Sequence, residues 1–193
     1  MSELFSIQLQ NRQQQGGDGV WLDLPTTTEQ VQAALRQIGI SSDNPQGLFI
    51  SGYFAEEEKR FAIPYNMVLA SNVDELNFLA AQLETLSAGE RAELNAALQA
   101  PQSELSSIGR ITDFPENVDY YVHLPDVHGP AQLGDYYLNR SGMVDMPEEW
   151  KGGIDTAQFG RYVAQQEQGV FTEYGYLVKS GDEWQKVHEG QPV

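Results

Sequence analysis

The spacing of apolar residues changes twice along this chain, and this change constrains the fold more than any other feature of the sequence. Residues 4–10 and 20–24 alternate apolar and polar side chains as half-buried strands do, and residues 47–54 form a third strand-like run. Between about residues 64 and 107 the apolar positions recur every three or four residues, which is typical of helices. After Gly109 short strand-like and helical patterns are mixed. The sequence therefore predicts an α+β protein.

The same changes divide the 193 residues into three parts. Residues 1–62 predict a β-β-α-β domain, whose helix begins at a capping-box pair, Thr26 and Glu29. Residues 63–109 predict a small helical bundle, and residues 110–193 predict a mixed α/β C-terminal domain. No part is large, so we expect the helices to pack on each other or on their neighbours. The predicted fold class is α+β with three small domains.

Local patterns predict several short elements in the C-terminal part. Strand-like runs are RITDF and YYVHL, and helices are expected near residues 131–140 and over residues 156–168, with Gly169 as the cap of the second helix. The stretches GVFTEYGYLV and EWQKVH predict a closing hairpin that turns at KSGD.

The chain is strongly acidic. It has 28 acidic and 11 basic residues, which give a formal charge of −17 and a pI near 4.3. The three predicted parts carry −4, −5 and −8, so the excess is not confined to a tail. Such a chain repels nucleic acid and anionic membranes, and it is attracted to basic surfaces. Acidic surfaces also serve solubility alone, so charge by itself does not decide the function.

The composition narrows the class of protein further. There is no cysteine, which excludes disulfides, thiolate nucleophiles and cysteine-based zinc sites. There is also no run of 18 apolar residues, and the first ten residues lack the basic region of a secretory signal. We therefore expect a folded cytoplasmic protein that does not bind membranes.

The stretch HLPDVH offers the strongest hint of chemistry, because His123 and His128 flank an aspartate. Two histidines with Asp126 or Asp119 are the one metal site that these residues allow. The ligand set is incomplete, and histidines on a polar loop are the favoured interpretation. No nucleophile elbow, phosphate-binding loop or dinucleotide pattern is present. The sequence thus predicts no catalytic residue, no metal and no cofactor.

Four separated stretches resemble, in the same order, motifs of the ArdA-type antirestriction proteins, which are small DNA mimics usually carried by mobile genetic elements. They are GVWLDLP (19–25), DELNFLAAQLETL (74–86), LGDYYLNRSG (133–142) and IDTAQFGRYVAQQEQGVFTEYGYL (154–177). The last is the most specific. One departure is Gly52-Tyr53-Phe54, where the family often has Asp-Tyr-Glu, and it shifts the expected negative surface onto Glu56–Glu58.

The resemblance implies an elongated, curved chain of three small domains that is not an enzyme. It also implies a homodimer joined through C-terminal regions, and a partner, the DNA-binding groove of type I restriction-modification enzymes. The resemblance further implies that the protein itself binds no nucleic acid. We expect the DNA-mimicking surface to lie where negative charge is densest, in residues 110–193. Its expected members are Asp113, Glu116, Asp119, Asp126, Asp135, Asp145, Glu148, Glu149, Asp155, Glu167 and Glu173.

Two alternatives stay open at this point. An acidic adaptor for another basic protein would explain the charge but not the order of the motifs. A metal-dependent enzyme using histidine and aspartate would explain HLPDVH but lacks a full set of ligands.

Overall fold

The computed structural model describes residues 3–14, 17–41, 45–101 and 103–188. The chain forms two compact units, which are described separately. The first contains residues 1–87 with 104–116 and 186–193, and the second contains residues 88–103 and 117–185. The architecture is α+β, as the periodicity predicts. The division into three domains at residues 62 and 109 stays a prediction.

The strands and helices follow one another in this order. They are β1 (Phe5–Asn11), β2 (Val20–Leu24), α1 (Thr28–Gln37), β3 (Leu48–Phe54), α2 (Tyr65–Leu69), α3 (Val73–Glu84), α4 (Ala88–Gln99), α5 (Ile108–Thr112), β4 (Tyr121–Leu124), α6 (Pro130–Asp135), α7 (Glu148–Lys151), α8 (Thr156–Glu167), β5 (Val170–Thr172) and β6 (Gly175–Lys179). Short 3-10 turns lie at Pro45–Gly47, Glu57–Lys59 and Phe114–Tyr120, and a π-helical turn at Tyr136–Arg140 continues α6.

The first unit is built on a three-stranded antiparallel sheet in the order β2-β1-β3. Phe5, Ile7 and Leu9 alternate along β1 and are almost completely buried, as the predicted alternation requires. Helix α1 begins at Thr27, whose hydroxyl accepts the backbone N–H of Gln30 while the Gln30 side chain accepts that of Thr27. The capping box therefore lies one residue later than the sequence pattern predicted.

The second unit contains another three-stranded antiparallel sheet, in the order β4-β6-β5. Its core is centred on Val127, Leu133 and Tyr176. Helices α6 and α8 pack so closely that a Cβ on Gly160 would lie 1.8 Å from the carbonyl oxygen of Pro130. This crossing therefore requires glycine.

One predicted strand is a helix. The RITDF run lies in and after α5, which begins where the Ser107 hydroxyl accepts the backbone N–H of Arg110 at 3.2 Å. Ile108 and Ile111 are both buried, three residues apart on one helical face. A serine cap followed by this spacing outweighs the strand propensity of the run.

The closing hairpin also differs from the prediction. It consists of β5 and β6, and its turn precedes Gly175, whose φ of 121° suits glycine. The predicted second strand, EWQKVH, is not a strand. Its Gln185 backbone instead bonds through both N–H and C=O to the Asn117 side chain, at 2.7 and 2.9 Å. At the end of α8 the left-handed residue is Gln168, with φ 55°, rather than Gly169.

Candidate partner-binding surface

Acidic residues outnumber basic ones in the second unit by thirteen to five, so its formal charge is −8. Two of the predicted acids are neutralised by basic neighbours. Asp135 pairs with Arg140 at 3.1 Å, and Glu148 pairs with Lys151 at 3.0 Å. Surface pairs of this kind contribute little to stability, but they do cancel charge.

Five of the predicted acids are exposed and form no ion pair within the parts of the chain that the structure describes. They are Asp119, Asp126, Asp145, Glu149 and Glu173. Turns and short helical segments carry them, between the regular elements of the second unit. A hydrated carboxylate in such a place keeps its charge and can accept a hydrogen bond from an approaching lysine or arginine.

Two further predicted acids are exposed but differ in setting. Asp155 caps α8, because its Oδ1 accepts the backbone N–H of Gln158 at 3.0 Å. Its carboxylate is thus partly committed to the helix end. Glu116 is exposed in the first unit, at the start of the Phe114–Tyr120 turn.

Asp113 must be removed from the predicted surface, because its side chain is completely buried. Its Oδ1 accepts the backbone N–H groups of Val187 and His188, at 3.3 and 2.8 Å. The same oxygen lies 2.7 Å from Nδ1 of His188. This carboxylate holds the end of the described chain and cannot touch a partner.

Glu167 is half-buried and forms hydrogen bonds inside the second unit. The hydroxyls of Tyr137 and Tyr176 donate to its two oxygens. Burial, and then the neighbouring carboxylate, raise the pKa of both tyrosines above the usual value of 10.0. Both hydroxyls therefore stay protonated and remain donors.

An acid that the sequence analysis did not select, Glu93, has a strongly perturbed carboxyl group. Glu93, on α4, has an oxygen that is shielded from solvent and has no hydrogen-bond partner among the described residues. Burial, with the charges of Glu90 and Asp119, raises the pKa of Glu93 to about 7. The spacing of Glu90 and Glu93 predicts that they share a helical face. No local pattern shows that Asp119 lies near them.

The two histidines of HLPDVH have separate surroundings. His123 Nε2 lies 2.7 Å from the backbone carbonyl oxygen of Tyr174, while His128 is exposed. No group of three histidine, aspartate or glutamate side chains in the described ranges is arranged to hold a metal ion. Within the same ranges, none of the helices combines the length and apolar character that crossing a membrane needs.

The sequence model of the antirestriction protein (ArdA) family matches residues 16–178. This chain belongs to the ArdA family. No curated protein matches it. The ArdA match confirms the resemblance carried by the four motifs, and it covers the five exposed acids without an ion pair that are named above.

The most specific ArdA-like motif, residues 154–177, folds as α8 and the β5–β6 hairpin. Its Gly160 permits the close contact with α6, and a Cβ on Gly169 would lie 1.9 Å from the Tyr176 hydroxyl oxygen. Glycines of this motif therefore serve the packing of the second unit. The carboxylates available to a partner lie mostly outside it.

Proposed function

We propose that this chain inhibits type I restriction-modification enzymes by occupying their DNA-binding groove as an acidic mimic of DNA. The observation that carries the proposal is the set of exposed carboxylates without basic partners, Asp119, Asp126, Asp145, Glu149 and Glu173, in a member of the ArdA antirestriction family.

The physical basis is the exchange of one polyanion for another. A DNA-binding groove holds phosphates with lysine and arginine side chains, and these donate equally well to carboxylates. Duplex DNA carries about two negative charges per base pair, so the −17 of one chain corresponds to about 8 base pairs of phosphate. Long-range attraction between opposite charges makes association fast and sensitive to salt.

The proposal includes a homodimer joined through C-terminal regions. In the second unit, Val122, Met143, Trp150 and Tyr162 are large apolar or aromatic side chains with exposed fractions between 46% and 75%. Burying such side chains against a second copy would stabilise association. A dimer would carry −34, twice the charge of one chain, which equals about 17 base pairs of phosphate.

Competition for DNA tests the proposal directly. The protein is titrated into a type I methyltransferase core bound to labelled DNA, at low and at moderate salt. We expect displacement near stoichiometric ratios at low salt and much weaker displacement as salt rises. No displacement at large excess, across several type I families, would overturn the proposal and leave the acidic adaptor.

A pair of matched variants tests which acids act. The first replaces Asp119, Asp126 and Asp145 by Asn and Glu149 by Gln, which removes four charges from the second unit. The control removes four charges from exposed acids of the first unit that lie outside the expected negative surface, Glu3, Asp18, Glu29 and Asp74. We expect the first variant to lose far more inhibition than the control. Equal losses would mean that only the net charge matters, and the surface assignment would then be wrong.

A further inference from the structure

Glu167 lies beside a cavity that the proposed function leaves unexplained. The cavity, of about 410 Å³, lies in the second unit, and its lining residues Met143 and Val122 are 75% and 46% exposed. Three tyrosine rings form much of its wall, those of Tyr136, Tyr137 and Tyr176, and Val178 contributes aliphatic surface. Its lining residues include one acid, Glu167, and one base, Lys179. Lys179 follows Val178 along β6, so its side chain projects from the opposite face of the sheet.

The Glu167 carboxylate accepts hydrogen bonds but has no basic partner in the described ranges. Its two hydrogen bonds come from tyrosine hydroxyls, which are neutral donors. Two bases lie close to the cavity and have other contacts. Arg140 pairs with Asp135 and lies 5.8 Å from the Tyr136 ring centroid, and the ammonium of the lining residue Lys179 lies 5.7 Å from the Tyr120 ring centroid. A partly buried anion with no counter-charge favours a cation in the cavity beside it.

Two further features act in the same direction. Glu167 is the last residue of α8, so the cavity adjoins the negative end of that helix, where cations are favoured. Aromatic faces attract organic cations, and tyrosine is a good wall for them. A hard metal ion is excluded by the same walls, because it needs about six oxygen ligands and the cavity offers one carboxylate. An anion would be repelled by Glu167.

We propose that this cavity binds an alkylammonium or guanidinium group, with Glu167 as its counter-charge and the tyrosine rings as its walls. The group belongs either to a small free organic cation or to a lysine or arginine side chain of another protein. The inference does not rest on the proposed function, because binding of a free cation requires no restriction enzyme.

Methyl NMR of the full chain tests the cavity directly. The probe is butylguanidinium, and its uncharged counterpart of similar size is butan-1-ol. We expect saturable shifts of the methyl signals of Met143 and Val178 with the guanidinium compound and much smaller shifts with the alcohol. The proposal is overturned if neither signal moves at about 50 mM probe, because that concentration is well above a dissociation constant of about 1 mM, which is already weak binding. Equal binding of the alcohol overturns it too, because the cavity would then be an apolar cleft only.

Variants assign the roles of the residues. Glu167→Gln keeps the size and one acceptor oxygen, so we expect the fold to survive and binding to weaken by about tenfold or more. Glu183→Gln, at an exposed acid of the second unit outside the cavity, is the charge control and should bind as the parent does. Tyr137→Phe keeps the ring and should retain binding, whereas Tyr137→Leu should weaken it. Unchanged binding by a folded Glu167→Gln protein would overturn the assignment.

A second probe separates the two sources of the cation. Arginine capped at both ends carries the same guanidinium group on a peptide backbone. If it binds at least as well as butylguanidinium, the cavity accepts a side chain presented by a protein. If the capped residue is excluded while butylguanidinium binds, the site takes small free cations. Both results support the site, and failure of both probes overturns it without bearing on inhibition of restriction.

Discussion

Asp113 shows how a single residue can leave a predicted surface and acquire a structural role. Replacing it by Ala would leave the backbone N–H groups of Val187 and His188 without their buried acceptor. We expect Asp113→Ala to lower the free energy of unfolding by about 2–4 kcal/mol, measured by urea denaturation. Asp113→Asn keeps an acceptor oxygen and should cost less. Glu116→Ala, at an exposed acid three residues away, should change little. A loss in Glu116→Ala as large as in Asp113→Ala would contradict this account.

Glu93 gives stability a dependence on pH. A carboxyl group whose pKa is higher in the folded protein binds its proton more tightly there. As pH rises from 4.5 to about 7, the unfolded protein loses this proton first, so the free energy of unfolding falls. Above that range the full loss of stability from burying the charged carboxylate is present. We expect Glu93→Gln to remove this cost. Because Glu93 is only partly buried, the gain at pH 8 should be about 1 kcal/mol.

The measurement is chemical unfolding of parent and Glu93→Gln at about pH 4 and at about pH 8. The difference between them should be small at the lower pH, which lies below both pKa values, because Glu93 is then largely protonated in the folded and in the unfolded protein. Glu149→Gln removes an equal charge from an exposed site of the same unit. If both variants gain equally at pH 8, the effect is relief of net charge rather than of burial.

Among the elements, the crossing of α6 and α8 makes the clearest demand on the sequence. A Cβ on Gly160 would meet backbone atoms of Pro130, and a Cβ on Gly134 would lie 1.9 Å from the carbonyl oxygen of Thr156. Backbone cannot turn aside as a flexible side chain can, so the helices would have to separate. We expect Gly160→Ala to lower the free energy of unfolding of the second unit by more than about 2 kcal/mol.

Gly89, near the start of α4, is the matched control for that substitution. Nothing lies within 4 Å of the position its Cβ would occupy. Gly89→Ala should therefore raise the free energy of unfolding slightly, by about 0.5 kcal/mol, through helix propensity and a less flexible unfolded chain. Similar losses at both glycines, measured by thermal or urea unfolding, would argue against close packing as the cause.

Strands and helices are predicted correctly from the sequence where the spacing of apolar residues and the capping residues indicate the same element. Strands β1 and β2 follow from the alternation of apolar residues, and the helical character of α3 and α4 follows from their three- and four-residue spacing. The predictions for RITDF and EWQKVH were wrong because the deciding partners are elsewhere. A serine cap and two buried isoleucines make the first run helical. The Asn117 side chain, 68 residues away, holds the backbone of the second.

The candidate site can also be predicted only in part from the sequence. Counting carboxylates locates the acidic part of the chain, and the motifs identify the family. Sequence does not reveal which acids are exposed, because Asp113 is buried by contacts with residues more than 70 positions away. Likewise, Glu167 meets Tyr137 and Tyr176 only once helix and sheet are packed.

The charge of the whole molecule makes a prediction that separates its two proposed associations. Two copies of a chain with charge −17 repel each other, so salt that screens this repulsion should strengthen the homodimer. Binding to a basic groove depends on attraction and should weaken with the same salt. Sedimentation is measured at about 50 mM salt, where charges are weakly screened, and at about 300 mM salt, where they are strongly screened. The dimer fraction should rise with salt, whereas displacement of DNA in the competition assay should fall. A dimer that dissociates as salt rises would mean that ion pairs, rather than the exposed apolar side chains, join the two copies.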